Sequence, residues 1–312
     1  MTVIGSSDLD VYPLGLGGNT FGWTSDKETS FAVLDAYVAG GGDFIDTADS
    51  YSSWVPGNSG GESETIIGEW TAARGNRDSV VIATKVDRHP QFQGLSRANV
   101  RAAADASLAR LRTDYIDLYY VHYDDPGVPV AEAAGVFSEL QKAGKIRHVG
   151  LSNYTAPRLR EWFAVAAAEG FAPPVALQPL YNLMERAPYE DSLAPVVAEL
   201  GLGVLPYSSL ASGFLSGKYR SAADHAGGAR QKGAVRYLTP AGLGVLAAVD
   251  AAAAAHGVEP AAVALAWLRT RPGVAAPLAS ARTVGQLPAL LASATLELTA
   301  DEVRALDSAS AA

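Results

Sequence analysis

The chain has 312 residues, 48% hydrophobic and 18% charged, with a formal net charge of −9; that is ample for a sizeable core, and its scattered Lys and Arg argue against a nucleic-acid partner. The absence of cysteine excludes disulfides, thiolate metal sites and cysteine nucleophiles, and fits a reducing compartment. The opening MTVIGSSDLDVYP has neither the basic nor the apolar region of a secretory signal, and no apolar run approaches the roughly 20 residues that span a bilayer, so a cytoplasmic location is expected.

The residues before Leu14 predict a short hairpin closing the bottom of the fold, and the Gly-rich LGLGG at 14–18 supplies a first strand. Further β-prone runs follow at 43–46 (DFID), 79–84 (SVVIAT), 115–121 (YIDLYYV), 145–151 (KIRHVGL), 174–178 (PVALQ), 202–206 (LGVLP) and 273–278 (GVAAPL). Helical patterns lie between them. Ser96 is a plausible N-cap for a helix over 96–111, where Val100, Ala104, Leu108 and Leu111 share a face; Val130, Ala133, Phe137 and Leu140 do the same over 130–142. Apolar strands each followed by an amphipathic helix imply a parallel sheet covered by helices. Eight such units with no break in composition predict one α/β domain over 1–312, a closed (β/α)₈ TIM barrel. The segment 207–238, rich in Gly, Ser and basic residues, reads as a long functional loop after strand 7.

In such a barrel all strands end at one rim, where active sites gather. The stretch DFIDTADSY places Asp46 and Tyr51 at the end of the second strand, VVIATK ends the third on Lys85, and IDLYYVH ends the fourth on His122. Singly, each has an ordinary explanation: a cap, a packing ring, a solvated amine, a structural imidazole. Together they fit carbonyl reduction, in which an alkoxide needs a proton as it forms. Asp46 holds Lys85 charged, Lys85 stabilises the ionised form of Tyr51 and so makes it a better donor, and His122 steers the carbonyl oxygen.

These residues, with LGLGG, GESETIIG (61–68), GKIRHVGLSNY (144–154), LQPLYNL (177–183), LPYSSLASGFLSGKY (205–219) and PLASARTVGQL (277–287), resemble the aldo-keto reductase superfamily along nearly the whole chain. The resemblance implies a nicotinamide cofactor across the barrel mouth without a Rossmann fold. It assigns Ser152, Asn153 and Gln178 to the carboxamide, Tyr207 to stacking on the nicotinamide, and Ser208, Leu210, Gly213 and Lys218 to the pyrophosphate. Gly18 and Asn19 touch the cofactor from the first loop, and Gln286 faces the adenosine. Arg282, with Ser280 beside it, suits a 2′-phosphate, so NADPH is expected over NADH. Leu290, where the family often has Asn, removes a polar contact to adenine. Phe21, Trp23, Trp54 and Tyr123 are expected to line the mouth, for an apolar aldehyde or ketone or for a stacked sugar. Loop 219–238, with Arg220, Arg230, Lys232 and Arg236, reads by default as a solvated mobile loop, and its basic charge next to an anionic cofactor raises the alternative that it folds over that cofactor.

Two other readings stand beside this one. The first is a metal-dependent hydrolase using Asp46, Asp49, His122 and Asp124, against which there is no His-x-His pair and Lys85 would sit at the metal. The second is a cofactor-binding sensor with little turnover. The residues favour the reductase, with no resident metal.

Overall fold

The computed structural model describes residues 1–221 and 231–311. Eight short parallel strands form one curled sheet: β1 (Gly15–Gly17), β2 (Phe44–Asp46), β3 (Val81–Val86), β4 (Ile116–Val121), β5 (Ile146–Ser152), β6 (Ala176–Gln178), β7 (Gly203–Val204) and β8 (Leu278–Ala279). Their spatial order is their chain order, with β8 paired to β1. A parallel bridge between Val204 and Val274 joins the other edge, with Ala275 N–H on the Val204 carbonyl and Leu278 N–H on that of Pro206, both at 2.9 Å. The result is a (β/α)₈ barrel. The expected strand at 273–278 is therefore shifted: its residues supply the closing contacts, and the regular strand follows at 278–279. Likewise 79–84 begins in a 3₁₀ turn (Arg77–Ser79), and the strand runs two residues further than expected.

Strand side chains alternate between the two faces. Phe44, Ala83, Leu118, Tyr120, Ala176 and Leu278 form the inner cluster, sealed from below by Ile4, Leu9 and Val11. The last three belong to the expected hairpin, whose strands Thr2–Val3 and Asp10–Val11 pair antiparallel. Ile45, Ile82, Tyr119 and Val121 face the helices. Gly150 stands opposite Tyr120 in register, and a Cβ there would lie 2.4 Å from the Tyr120 ring. The barrel holds this ring only because β5 has no side chain at 150.

The helices Arg97–Leu111 and Val130–Lys142 match their sequence patterns, burying Val100, Ala104, Leu108, Leu111 and Val130, Ala133, Phe137, Leu140. Ser96 is the N-cap residue of the first but makes no side-chain cap bond. Among the described residues no single helix is long and apolar enough to cross a membrane.

The segment 207–238 is not a featureless loop. It contains a 3₁₀ stretch (Ala211–Ser216) and a short helix (Gln231–Val235). Within 219–238, residues 222–230, among them Arg230, and the Lys232 side chain lie outside the described residues, and with them the alternative of closure over a cofactor. The flanking cations have acidic partners in the protein: Arg220 forks onto Asp250 at 2.6 and 2.9 Å, and Arg236 meets Glu185 at 3.0 Å.

Candidate active site

Alternation decides which strand residues reach the rim. Two positions beyond the inner residues Phe44, Ala83 and Ala176 come Asp46, Lys85 and Gln178, so all three project into the top of the barrel. There the Lys85 ammonium, fully buried, donates to Asp46 Oδ2 at 2.6 Å, the Thr47 carbonyl at 2.7 Å and Tyr51 Oη at 3.1 Å. Asp46 Oδ1 accepts from Gln178 Nε2 at 2.8 Å, so both carboxylate oxygens are used. Tyr51 reaches the cluster from the turn after β2, and His122 follows β4 with its ring centroid 6.3 Å from that of Tyr51. The structure thus brings the four rim residues together.

Burial pushes Asp46 above its ordinary pKa, with Lys85 and Gln178 pulling against it. Burial also works against the Lys85 ammonium, but Asp46 and Tyr51 outweigh it and the group stays charged. Tyr51 departs from the expectation that the ammonium acidifies it. Burial of the phenol is the larger effect, Lys85 offsets it only in part, and Tyr51 lies above its ordinary value. It holds its proton firmly at neutral pH. Burial, then Lys85 and Arg88, hold His122 well below the usual imidazole range, so its ring is neutral. Its Nδ1 is buried with no hydrogen-bond partner among the described residues.

Beside this cluster the residues assigned to the carboxamide form one network. Asn153 Nδ2 donates to the His122 carbonyl and to Ser152 Oγ, both at 3.0 Å, and its Oδ1 accepts from Tyr207 Oη at 2.9 Å. Ser152 Oγ donates to the Gln178 carbonyl at 2.9 Å. Asn153 sits at φ 56°, a left-handed conformation that asparagine tolerates better than most residues. It is not the helix cap, a position taken by Thr155.

A cavity of about 630 Å³ is lined by Asn19, Ser208, Leu210, Gly213, Lys218, Ser280, Arg282 and Gln286; Ser208 follows Tyr207 of the network, and Asp46, Tyr51, Lys85 and His122 do not line it. Eight expected cofactor residues therefore share one wall. Gly18 is engaged by the fold instead: its N–H donates to the Asp46 carbonyl at 2.8 Å, and a Cβ there would meet Ser63 Oγ at 2.7 Å. Gly213 permits a close backbone approach at φ 90°, where a Cβ would strike Lys218 at 2.9 Å. Arg282 is exposed, and its guanidinium has no acidic partner among the described residues, while its backbone N–H donates to Gln286 Oε1 at 2.8 Å. Leu290, also on the wall, is buried in the core. The sequence reading missed Ser212, Ser216 and Glu259, which line the same cavity. The two serines stand inside the quoted run SSLASGFLSG, where their hydroxyl spacing was the available signal.

At the mouth Phe21 is a correction. It is fully buried, packs in the core and accepts Ser52 Oγ on its carbonyl, so it lines no substrate site. The other three aromatics do stand there. Trp23 meets Trp54 edge-on at 5.5 Å, Trp54 meets Tyr51 at 6.2 Å, and His122 meets Tyr123 at 5.1 Å. Trp54 and Tyr123 remain exposed.

Behind the rim lies a buried polar cluster that the sequence did not announce. Glu64, fully buried, accepts from Thr84 Oγ1 at 2.5 Å and Arg110 Nε at 2.6 Å. Asp49 is buried close by, and neither its carboxylate oxygens nor the Tyr119 hydroxyl has a hydrogen-bond partner among the described residues. Burial, then the neighbouring Glu64, raise Asp49 well above the usual carboxylate range. The ligands imagined for a hydrolytic metal are not assembled. Asp46 is committed to Lys85, Arg158 forks onto Asp124 at 2.7 Å on each oxygen, and among the described residues no three acidic or imidazole groups converge on a metal position.

The comparisons agree with this architecture. "Protein tas" of Escherichia coli is 36% identical over 323 residues, covering 95% of this chain and 93% of its own. The aldo-keto reductase YhdN of Bacillus subtilis is 34% identical, covering 93% and 87%. Norsolorinic acid reductase B of Aspergillus parasiticus is 31% identical, covering 97% and 82%. The profile of the aldo/keto reductase family matches residues 13–311, and with a (β/α)₈ barrel carrying this rim the chain belongs to that family.

Proposed function

We propose that the chain is an NADPH-dependent reductase of aldehydes or ketones in which Tyr51 delivers the proton. The observation that carries this reading is the Lys85 ammonium held between Asp46 and the Tyr51 hydroxyl. Aldo-keto reductases generally use nicotinamide cofactors, and the residues here suit one. The cavity is lined by Ser208, next in sequence to Tyr207 of the Asn153 network, and by Gly213, which allows a close backbone approach, and the Arg282 guanidinium has no acidic partner among the described residues. When bound, the cofactor supplies a hydride to the carbonyl carbon. Asn153, Ser152 and Tyr207 would hold its nicotinamide, and Lys218 with Arg282 would supply positive charge to its phosphates.

Tyr51, kept protonated by burial, gives its proton to the oxygen as the new C–H bond forms, and the phenolate left behind is stabilised by Lys85 at 3.1 Å. The neutral His122, with Nδ1 enclosed, offers Nε2 to the same oxygen. The aromatic rim suits a planar substrate. We place the activity in the cytoplasm, which cell fractionation tests.

The deciding experiment is loss of NADPH absorbance with 4-nitrobenzaldehyde, using Tyr51→Phe alongside. The reductase reading expects turnover by the natural chain, and a kcat lower by about 10²-fold or more with unchanged NADPH binding in the variant. NADPH binding without turnover of any aldehyde, ketone or sugar would identify a sensor instead.

A further inference from the structure

The hairpin after β3 carries a charge that the proposed chemistry does not use. Arg88 follows Asp87, whose φ of 114° lies where L residues rarely go and where surrounding contacts must enforce it. Here the Asp87 carboxylate is anchored on the Gly94 N–H at 2.8 Å. This strained turn lays Arg88 on Tyr123, the guanidinium carbon 4.0 Å from the ring centroid, and Tyr123 in turn lies 5.1 Å from the His122 ring. The field of Arg88 is felt at His122, which it helps to keep neutral.

Among the described residues Lys85 is held by three acceptors and Arg158 by the Asp124 fork. Arg88 meets Asp87 through Nε at 3.4 Å, its side chain is 52% exposed, and its nitrogens make no hydrogen bond among the described residues. A guanidinium stacked on a ring uses its face and leaves its N–H edge free for a planar anion.

We propose that Arg88 is the anion-recognising residue of the substrate site, and that preferred substrates are aromatic carbonyl compounds bearing a carboxylate. The substrate ring lies among Tyr123, Trp54 and Trp23, and its carboxylate meets the edge of Arg88. This rests on the reductase reading above and adds a substrate class to it.

The test compares 4-carboxybenzaldehyde with methyl 4-formylbenzoate, which share ring and aldehyde and differ in charge. The readout is the acid-to-ester ratio of kcat/KM from NADPH consumption. In Arg88→Gln the ratio falls about tenfold, while Arg88→Lys retains part of it. In the natural chain the ratio also falls as salt rises from about 0.02 M to about 0.5 M, because exposed charges are screened. This salt series decides the matter even if the variants fold poorly. A ratio unchanged by both substitution and salt, with both probes turned over, overturns the role of Arg88 and leaves the reductase reading standing. Equal loss on both probes in Arg88→Gln overturns it too, since Arg88 would then only prop Tyr123. No turnover of any aldehyde removes the reductase reading and this inference together.

Discussion

Replacing Lys85 by Met tests the centre of the site on stability and activity at once. The substitution keeps most of the side-chain volume and removes a buried ammonium that makes three hydrogen bonds, at 2.6, 2.7 and 3.1 Å. Asp46 Oδ2 and the Thr47 carbonyl are then left without that donor inside the barrel. Breaking a buried ion pair from one side costs about 3–5 kcal/mol, and that is the loss expected at pH 8. Asp46 already lies above its ordinary pKa through burial, and without Lys85 it rises further. A carboxyl whose folded pKa exceeds its unfolded value contributes stability at low pH and loses it as pH rises through the window from 3.8 to the folded value. Because Asp46 is raised in the natural chain as well, the deficit of Lys85→Met shrinks on acidification only between the natural chain's Asp46 pKa and the variant's higher one, by up to about 1.4 kcal/mol per pH unit there. Adding Asp46→Asn removes the stranded charge and restores much of the stability, while kcat stays lower by about 10²- to 10⁴-fold because the phenolate has lost its cation. Urea unfolding of the natural chain, both single variants and the double variant at pH 5.5 and pH 8 gives the coupling. A Lys85→Met chain within about 1 kcal/mol of the natural one at pH 8, or a deficit indifferent to both pH and Asp46→Asn, would refute the charge-pair reasoning.

Arg282→Ala is expected to weaken NADPH about tenfold or more while leaving NADH nearly untouched, read by quenching of protein fluorescence, because it removes a fork suited to a 2′-phosphate. Asp49→Asn should raise the urea midpoint at pH 8, the gain fading as pH falls towards the ordinary carboxylate value of 3.8. Folding raises the Asp49 pKa, so its ionisation opposes the folded state as pH rises, and the amide has no proton to lose. Phe21→Ala should lower stability by about 3–5 kcal/mol and leave the ranking of aldehyde substrates unchanged, since the ring fills the core and not the mouth.

What was legible in the sequence follows from topology. Parallel strands in chain order deliver their ends to one rim, so Asp46, Lys85 and His122 could be associated before any coordinates existed, and the period of two turns Asp46, Lys85 and Gln178 inwards above Phe44, Ala83 and Ala176. The misses came where a property belongs to surroundings and not to residue type. Phe21 reads like Trp23 in a Gly-rich loop, but its backbone folds inward against Ser52. The acidity of Tyr51 is a contest between burial and Lys85, and no string of letters reports which is larger. Asp49 passes for turn chemistry beside Ser50, yet it is enclosed near Glu64 and Arg110. The hairpin carrying Arg88 comprises two strands of two residues each, too short for any alternation to register.

Gly17 and Ser280 meet where the barrel's beginning and end lie side by side. A Cβ at position 17 would fall 2.6 Å from the Ser280 hydroxyl oxygen, which itself donates to Asn19 at 2.7 Å. The two positions consequently share one small volume: a methyl gained at 17 demands that the hydroxyl at 280 rotate away or be given up, and with it the tether on Asn19. Mutant libraries that randomise either site alone will discard combinations that are viable only as a pair.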